Sequence, residues 1–450
     1  SVDKNTYNKM KIKNSILQTQ RPYEPNHCLG LEKIGDSAYM NAIIQCLCNI
    51  PNVKKYFQDK QLVYNDINNK KCELTIEFNK LINNLWKEPS ENKKYYTPND
   101  FKNCIYRKNP LFKETSANSS KDLIVFLYKK MHNEINKQNQ YNYNNLKDDL
   151  SLFRNNYYSN NSSFIIDTFY FEQQNELCCF NCNFNNITYN IANIIIFPLE
   201  KVRQYMLEKS TDGFMFISLE NCFDYYQQKE SLAGETQIYC KNCHTMSNAN
   251  IVNKLLTCPL VMTIILNRRE DIDFYINFEY PPYLNIDNYV ITKPSCGKYH
   301  YELICVLSYY GESNMSGHFI AFCKSPVDGK WYCYNDTTVT EVNKQKIYEG
   351  IAFVLFYQRT DLNKVKNSNN NIYSNKWYLH FYYNDKEYYL DNVDEKTTIK
   401  NLINNLSRKY PEIPRNFLLY FQKGNDILEL EKYKTINDYE IQNGDKLTII

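Results

Sequence analysis

Three clusters of residues in this sequence are of types that can do chemistry. The first is Gly30-Leu31-Glu32-Lys33-Ile34-Gly35-Asp36-Ser37-Ala38-Tyr39-Met40-Asn41, in which a tight Gly-Asp-Ser turn opens a helix whose first residue is Ala38. A helix N-terminus carries partial positive charge and free N–H groups. A cysteine there would have a lowered pKa and act as a good nucleophile, but this chain has alanine at that point. The second cluster is Gly317-His318-Phe319, followed by Trp331-Tyr332-Cys333-Tyr334-Asn335-Asp336. Histidine titrates near working pH and suits the role of general base. An Asn or Asp on the neighbouring strand would fix its ring through the second ring nitrogen. The third cluster is two Cys-x-x-Cys pairs, Cys179 with Cys182 and Cys240 with Cys243, about 60 residues apart.

Hydrophobic spacing gives the elements that must carry these residues. Met40, Ile43, Ile44 and Leu47 recur at helical spacing after Ser37, and Pro51 is expected to end that helix. Further helices are expected over 74–86 and 121–135. From residue 157 onward, short runs rich in Ile, Phe, Tyr and Val alternate with turn residues, at 186–199, 214–219, 260–266, 301–309, 318–323, 330–334 and 352–357. The pattern predicts an α+β chain, a helical N-terminal half packed on a strand-rich C-terminal half. Residues 1–26 lack periodicity and read as an extension, and the Asn-rich stretch within 360–374 reads as a linker. Asn-rich patches at 139–145 and 155–161 read as loop tips. The last 75 or so residues read strand, strand, helix, strand, strand, the helix presenting Ile399, Leu402, Ile403 and Leu406 on one face.

Composition excludes several classes. Lys+Arg of 53 against Asp+Glu of 50 gives +3, too near neutral for a nucleic-acid-coating protein or a polybasic membrane binder. No apolar run approaches the roughly 20 residues of a membrane span. Aromatic residues at 15% exclude a disordered chain. Sixteen cysteines in 450 residues are too sparse for a disulfide scaffold. Most sit singly in apolar stretches, as Cys46 and Cys305 do, and read as small buried hydrophobes of a reducing compartment. The cytoplasm or nucleus is therefore the expected location. The chain opens on Ser1 rather than Met, as expected of a piece of a longer protein.

The first cluster resembles the Cys box of ubiquitin-specific proteases, and the second, with Tyr301-Glu302-Leu303 before it and Ala352-Phe353-Val354-Leu355-Phe356-Tyr357 after it, resembles their His box. The resemblance covers roughly residues 27–360. It implies a papain-like fold of thumb, palm and zinc-bearing fingers over 27–359, the fingers at about 160–250. It also implies cleavage of ubiquitin from proteins by a thiol at position 38, with His318 as base, Asn335 and Asp336 as its orienters, and Lys33 at the oxyanion position. Four thiolates suffice for one tetrahedral structural zinc, and Cys179, Cys182, Cys240 and Cys243 are the expected ligands, with Cys178 and His244 as alternatives. Asp122 stands in a degraded form of the family's acidic helix and is expected to meet the arginines of the ubiquitin tail. Tyr39, Tyr309 and Phe319 are expected to wall a narrow channel for its Gly-Gly end. Residues 375–450 resemble ubiquitin-like β-grasp modules, so a protein partner for that module is expected, with no nucleic acid and no membrane.

The sequence departs from the family pattern at Ala38, where the nucleophile belongs, and at Lys33, where the family usually has the Asn that donates to the oxyanion. Two functions fit. One is a cysteine deubiquitinase carrying a Cys→Ala change that captures ubiquitin without cleaving it. The other is a natural pseudoprotease serving as a ubiquitin-binding or structural scaffold.

Overall fold

A computed structural model of the chain describes residues 25–35, 37–59, 63, 66–67, 71–88, 94–114, 120–137, 148–209, 216–268, 276–292, 298–313, 316–360, 377–384, 386–393, 397–414, 417–423, 426–439, 441 and 445–449. Asp36, nearly all of the expected extension and linker, and the Asn-rich patch at 139–145 lie outside the described residues. The chain divides into two compact units, residues 1–280 with 303–357, and residues 281–302 with 358–450.

In the first unit the helix Ala38–Asn49 has every residue from Tyr39 onward buried. It packs on the strand Ser316–Lys324 and on the helices Pro51–Gln58 and Ser120–Ile135. A helix apolar on nearly all sides belongs at the centre of a core. Pro51 ends this helix as expected and also opens the next one, where its missing N–H costs nothing. The helices Glu73–Leu85 and Ser120–Ile135 match the expected ones closely. The run at 155–161, expected as a loop tip, begins inside the helix Asp149–Tyr158. The reason is a cap that composition hides: the Asp148 carboxylate accepts from Ser151 N–H at 2.9 Å.

The principal sheet runs in the order Thr338–Val342, Trp331–Asn335, Ser316–Lys324, His300–Ser313, Ile351–Arg359, Val261–Asn267, Ile195–Pro198. A second, four-stranded sheet runs Asn185–Ala192, Phe171–Cys179, Ala249–Leu255, Lys229–Leu232. The single expected run at 186–199 is therefore two strands in different sheets, followed by the helix Leu199–Lys209.

The second unit contains a five-stranded sheet in the order Lys386–Val393, Trp377–Tyr383, Lys446–Ile449, Leu419–Lys423, Asp426–Glu429. Trp377–Tyr383 and Lys446–Ile449 run parallel, and the other pairings are antiparallel. The helix Ile399–Lys409 buries Ile399, Leu402, Ile403 and Leu406, the face its spacing predicts, in one core with Leu379, Phe381, Leu419 and Leu447. The strand Asp426–Glu429 closes one edge of this sheet.

Candidate active site

The helix Ala38–Asn49, the site helix, is held to its surroundings by three buried amides spaced four residues apart. Asn41 Nδ2 donates to Asp336 Oδ1 at 2.7 Å and, at longer range, to the carbonyls of Leu31 and Glu32. Gln45 Nε2 donates to Leu29 O at 2.8 Å. Asn49 Oδ1 accepts from the Tyr334 hydroxyl at 3.2 Å. Residues i, i+4 and i+8 share one helix face, so this polar ladder clamps the segment 28–32 along the helix. Gly30 completes the clamp by close approach. A Cβ there would stand 2.3 Å from Thr337 O, and the neighbouring Leu31 N–H donates to Asp336 O at 2.7 Å. On the apolar side, the thiols of Cys46, Cys305 and Cys323 lie within 4.8 Å of one another, all buried between helix and sheet. They are core thiols, as the sequence predicts, and burial pushes those of Cys305 and Cys323 up.

Three residues expected to act together are brought together. His318 Nε2 lies 2.8 Å from Asn335 Oδ1 and 3.4 Å from Asp336 Oδ2. Both neighbours are acceptors, so neutral His318 carries its proton on Nε2, and Nδ1 keeps the lone pair a general base needs. Asp336 adopts a left-handed conformation, φ 48°, at the turn between Trp331–Asn335 and Thr338–Val342. That turn aims the carboxylate back at His318 and Asn41 together. Ala38 opens the site helix without a side-chain cap and without an acidic residue in the first turn.

Lys33 is exposed on the approach to the helix. Asp122 is exposed in the first turn of Ser120–Ile135 and, among the described residues, takes no part in the His318 network. The expected channel aromatics are buried: Tyr39 and Tyr309 are each 2% exposed and Phe319 is 3%. Tyr309 and Phe319 meet edge to face at 5.2 Å, and a Cβ on Gly317 would strike the Tyr309 ring. Tyr309 and Phe319 thus pack against each other from paired strands, Phe319 next to His318 in the chain.

The two Cys-x-x-Cys pairs form twin knuckles. Asn183 N–H donates to Cys179 O and His244 N–H to Cys240 O, both at 2.9 Å, with Asn183 at φ 54° and His244 at φ 55°. Cys179 Sγ lies 3.9 Å from Cys243 Sγ, and Cys182 Sγ 3.6 Å from Cys240 Sγ. A tetrahedral zinc with Zn–S near 2.3 Å spaces its sulfurs by about 3.8 Å, so these four thiols fit the ion. Hydroxyls of Thr245 and Ser247 bonded to Cys243 lower its pKa, which favours the thiolate that a metal requires. Cys178 and His244 stand outside the four-sulfur group.

The sequence reading missed Lys102. Its ammonium is buried and donates to Ser37 Oγ at 2.6 Å, one residue before position 38. It missed the clamp roles of Gln45 and Asn49 as well, although polar residues at 41, 45 and 49 of an otherwise apolar helix carry the period that would have exposed them.

Comparison with known proteins bears on the family and the fold. The family model described as ubiquitin carboxyl-terminal hydrolase matches residues 29–357. Bovine and human ubiquitin carboxyl-terminal hydrolase 2 are each 25% identical over 348 residues, 73% of this chain and 54% of theirs. Rat ubiquitin carboxyl-terminal hydrolase 15 is 33% identical over 154 residues, 32% of this chain and 16% of its own. The chain thus spans about half the length of the first of these relatives. Among solved structures, the SAGA Ubp8/Sgf11/Sus1/Sgf73 DUB module bound to ubiquitin aldehyde matches with a TM-score of 0.59 and 19% identity, over 80% of this chain and 76% of that one. That likeness carries the fold.

Proposed function

This chain belongs to the ubiquitin carboxyl-terminal hydrolase family, and on that premise we propose that residues 27–359 are a cysteine-type deubiquitinase domain that binds ubiquitin and, with Ala38 at the nucleophile position, does not cleave it. The observation that carries the reading is the triad of His318, Asn335 and Asp336, tied through Asn41 to the helix that begins at position 38. With a thiol at that position, His318 Nδ1 takes its proton, and the thiolate attacks the carbonyl at the end of the ubiquitin tail. The helix N–H groups meet the oxyanion, the amine leaves with the proton, and water releases the acyl group. Alanine removes the attacking atom and leaves the remaining parts in place. The knuckles would hold one structural zinc, supplying the fingers with a cross-link in place of a core. Residues 375–450 are read as a ubiquitin-like module after a linker at 360–374; the sheet order and the single amphipathic helix support this.

One observation favours the scaffold reading. Lys33 presents a flexible, exposed ammonium where the family has a fixed amide donor. The deciding experiment is Ala38→Cys in the full chain, assayed with a fluorogenic ubiquitin C-terminal substrate and an electrophilic ubiquitin probe. Hydrolysis that Ala38→Cys confers and His318→Ala then abolishes supports the enzyme. Ubiquitin binding with neither hydrolysis nor probe labelling leaves the scaffold.

A further inference from the structure

The deepest charge beside the site is Lys102, on the helix Asn99–Lys108 and 1% exposed. Asp336 and Glu32 are the carboxylates whose charges act on it, and Ser37 Oγ is its hydrogen-bond acceptor among the described residues. Ser37 stands at the N-cap of the site helix, where a serine hydroxyl ordinarily accepts from a backbone N–H two or three residues on. Here it does not. Its backbone is at φ −109°, ψ 20°, and it makes no side-chain cap. Its oxygen accepts instead from Lys102 and from Ile34 N–H at 3.3 Å. The capping serines elsewhere in the first unit behave otherwise: Ser163 and Ser218 each accept from the N–H three residues on. Among the described residues, the opening N–H groups of the site helix are thus left without a side-chain cap.

We infer that Lys102 is a positioning residue for position 38: it draws the Ser37 hydroxyl off the helix cap, so that the first N–H groups stay free for the anion formed there, and it sets a buried positive charge behind them. The inference rests on the reading of position 38 as the nucleophile position. Lys102 acts through Ser37 and touches neither substrate nor reacting atoms. A purely structural bond to Ser37 would be made as well by a neutral donor, or by the helix itself. An ammonium is a costly choice in a site where burial pulls its pKa down to about 8.

The test is the pKa of the thiol introduced by Ala38→Cys in the full chain. It is read from the pH dependence of iodoacetamide alkylation at that one peptide by mass spectrometry. Lys102→Met frees Ser37 to cap the helix and removes the charge. It should raise the thiol pKa by about one unit, slowing alkylation near pH 6 by about tenfold. Lys102→Arg keeps charge and donor and should stay within about threefold of the parent. Ser37→Ala cannot cap the helix and leaves the ammonium in place, so it should stay within about twofold. Alkylation by Lys102→Met indistinguishable from the parent overturns the inference. So does a loss in Ser37→Ala as large as that in Lys102→Met, which would make the contact mere scaffolding. Should Lys102→Met lack a cooperative melt, Lys102→Gln takes its place. Alkylation needs no ubiquitin, so this outcome is separate from the hydrolysis assay that decides the enzyme reading.

Discussion

If Lys102 serves chemistry, removing it should stabilise the fold. Its pKa falls from 10.5 to about 8, chiefly through burial, against the opposing pull of Asp336 and Glu32. A shift of about 2.5 units at 1.36 kcal/mol each is a cost of about 3 kcal/mol at neutral pH. Lys102→Met removes that cost and lets Ser37 cap the helix, worth about 1 kcal/mol. It forfeits the charged hydrogen bond to Ser37, worth about 1.5–3 kcal/mol. The balance is a gain of about 2 kcal/mol, a rise in urea midpoint of roughly 0.5 M for a unit of this size. Tryptophan fluorescence reads it, because Trp86 and Trp331 are both buried in the first unit. The sign with pH follows from the direction of the shift. Between the folded value near 8 and the unfolded value near 10.5, the unfolded chain binds more protons, so the parent gains stability as pH rises through that window. The advantage of Lys102→Met should therefore be full at pH 7 and shrink towards pH 10. A variant less stable than the parent at pH 7, or an advantage that grows with pH, refutes the argument.

Other perturbations give equally direct outcomes. Gly30→Ala places a Cβ 2.3 Å from Thr337 O; it should lower stability by about 2–4 kcal/mol and, in an Ala38→Cys chain, depress hydrolysis, both read against the parent by urea titration and the fluorogenic assay. Purified protein should carry one zinc per chain by elemental analysis, and chelation should weaken ubiquitin capture; well under one zinc removes the metal claim. Calorimetric titration of the chain as it stands should show ubiquitin binding of order micromolar or tighter, weakened when the last two glycines are absent; equal binding of both forms keeps the fingers contact and rejects the channel.

What the sequence made legible was what neighbours in sequence encode. The apolar spacing after Ser37 gave the site helix, and the two Cys-x-x-Cys pairs gave the knuckles, because a thiol cluster built from local turns leaves its spacing in the chain. The proximity of His318 to Asn335 was read through a resemblance and is realised by adjacent antiparallel strands. Lys102 was not legible: its partner Ser37 lies 65 residues away, and nothing in a run of Phe-Lys-Asn marks a lysine for burial. The helix over 149–158 was hidden by asparagines, which favour turns until a cap such as Asp148 starts the helix. The aromatics Tyr309 and Phe319 were found in sequence, but not their packing with Phe353 in one cluster, because ring contacts between strands leave no spacing in the chain.

These distinctions bear on which groups testify to chemistry. Asn41 orients Asp336, yet it also holds the segment 28–32, and Gly30 admits the same turn that carries Asp336. The fold needs both, so the geometry they give His318 would persist in a scaffold that never cleaved anything. Ala38 costs nothing either, being the best helix former at a helix start. Lys102 differs in kind. It sits where a neutral residue would be more stable, and it takes from the helix a cap that the chain has already supplied in Ser37. A group that folding would discard, bonded to the residue before the nucleophile position, adds to what the triad says of an anion forming at position 38. The departures at Ala38 and Lys33 concern replaceable atoms of the site, whereas Lys102 is buried behind them.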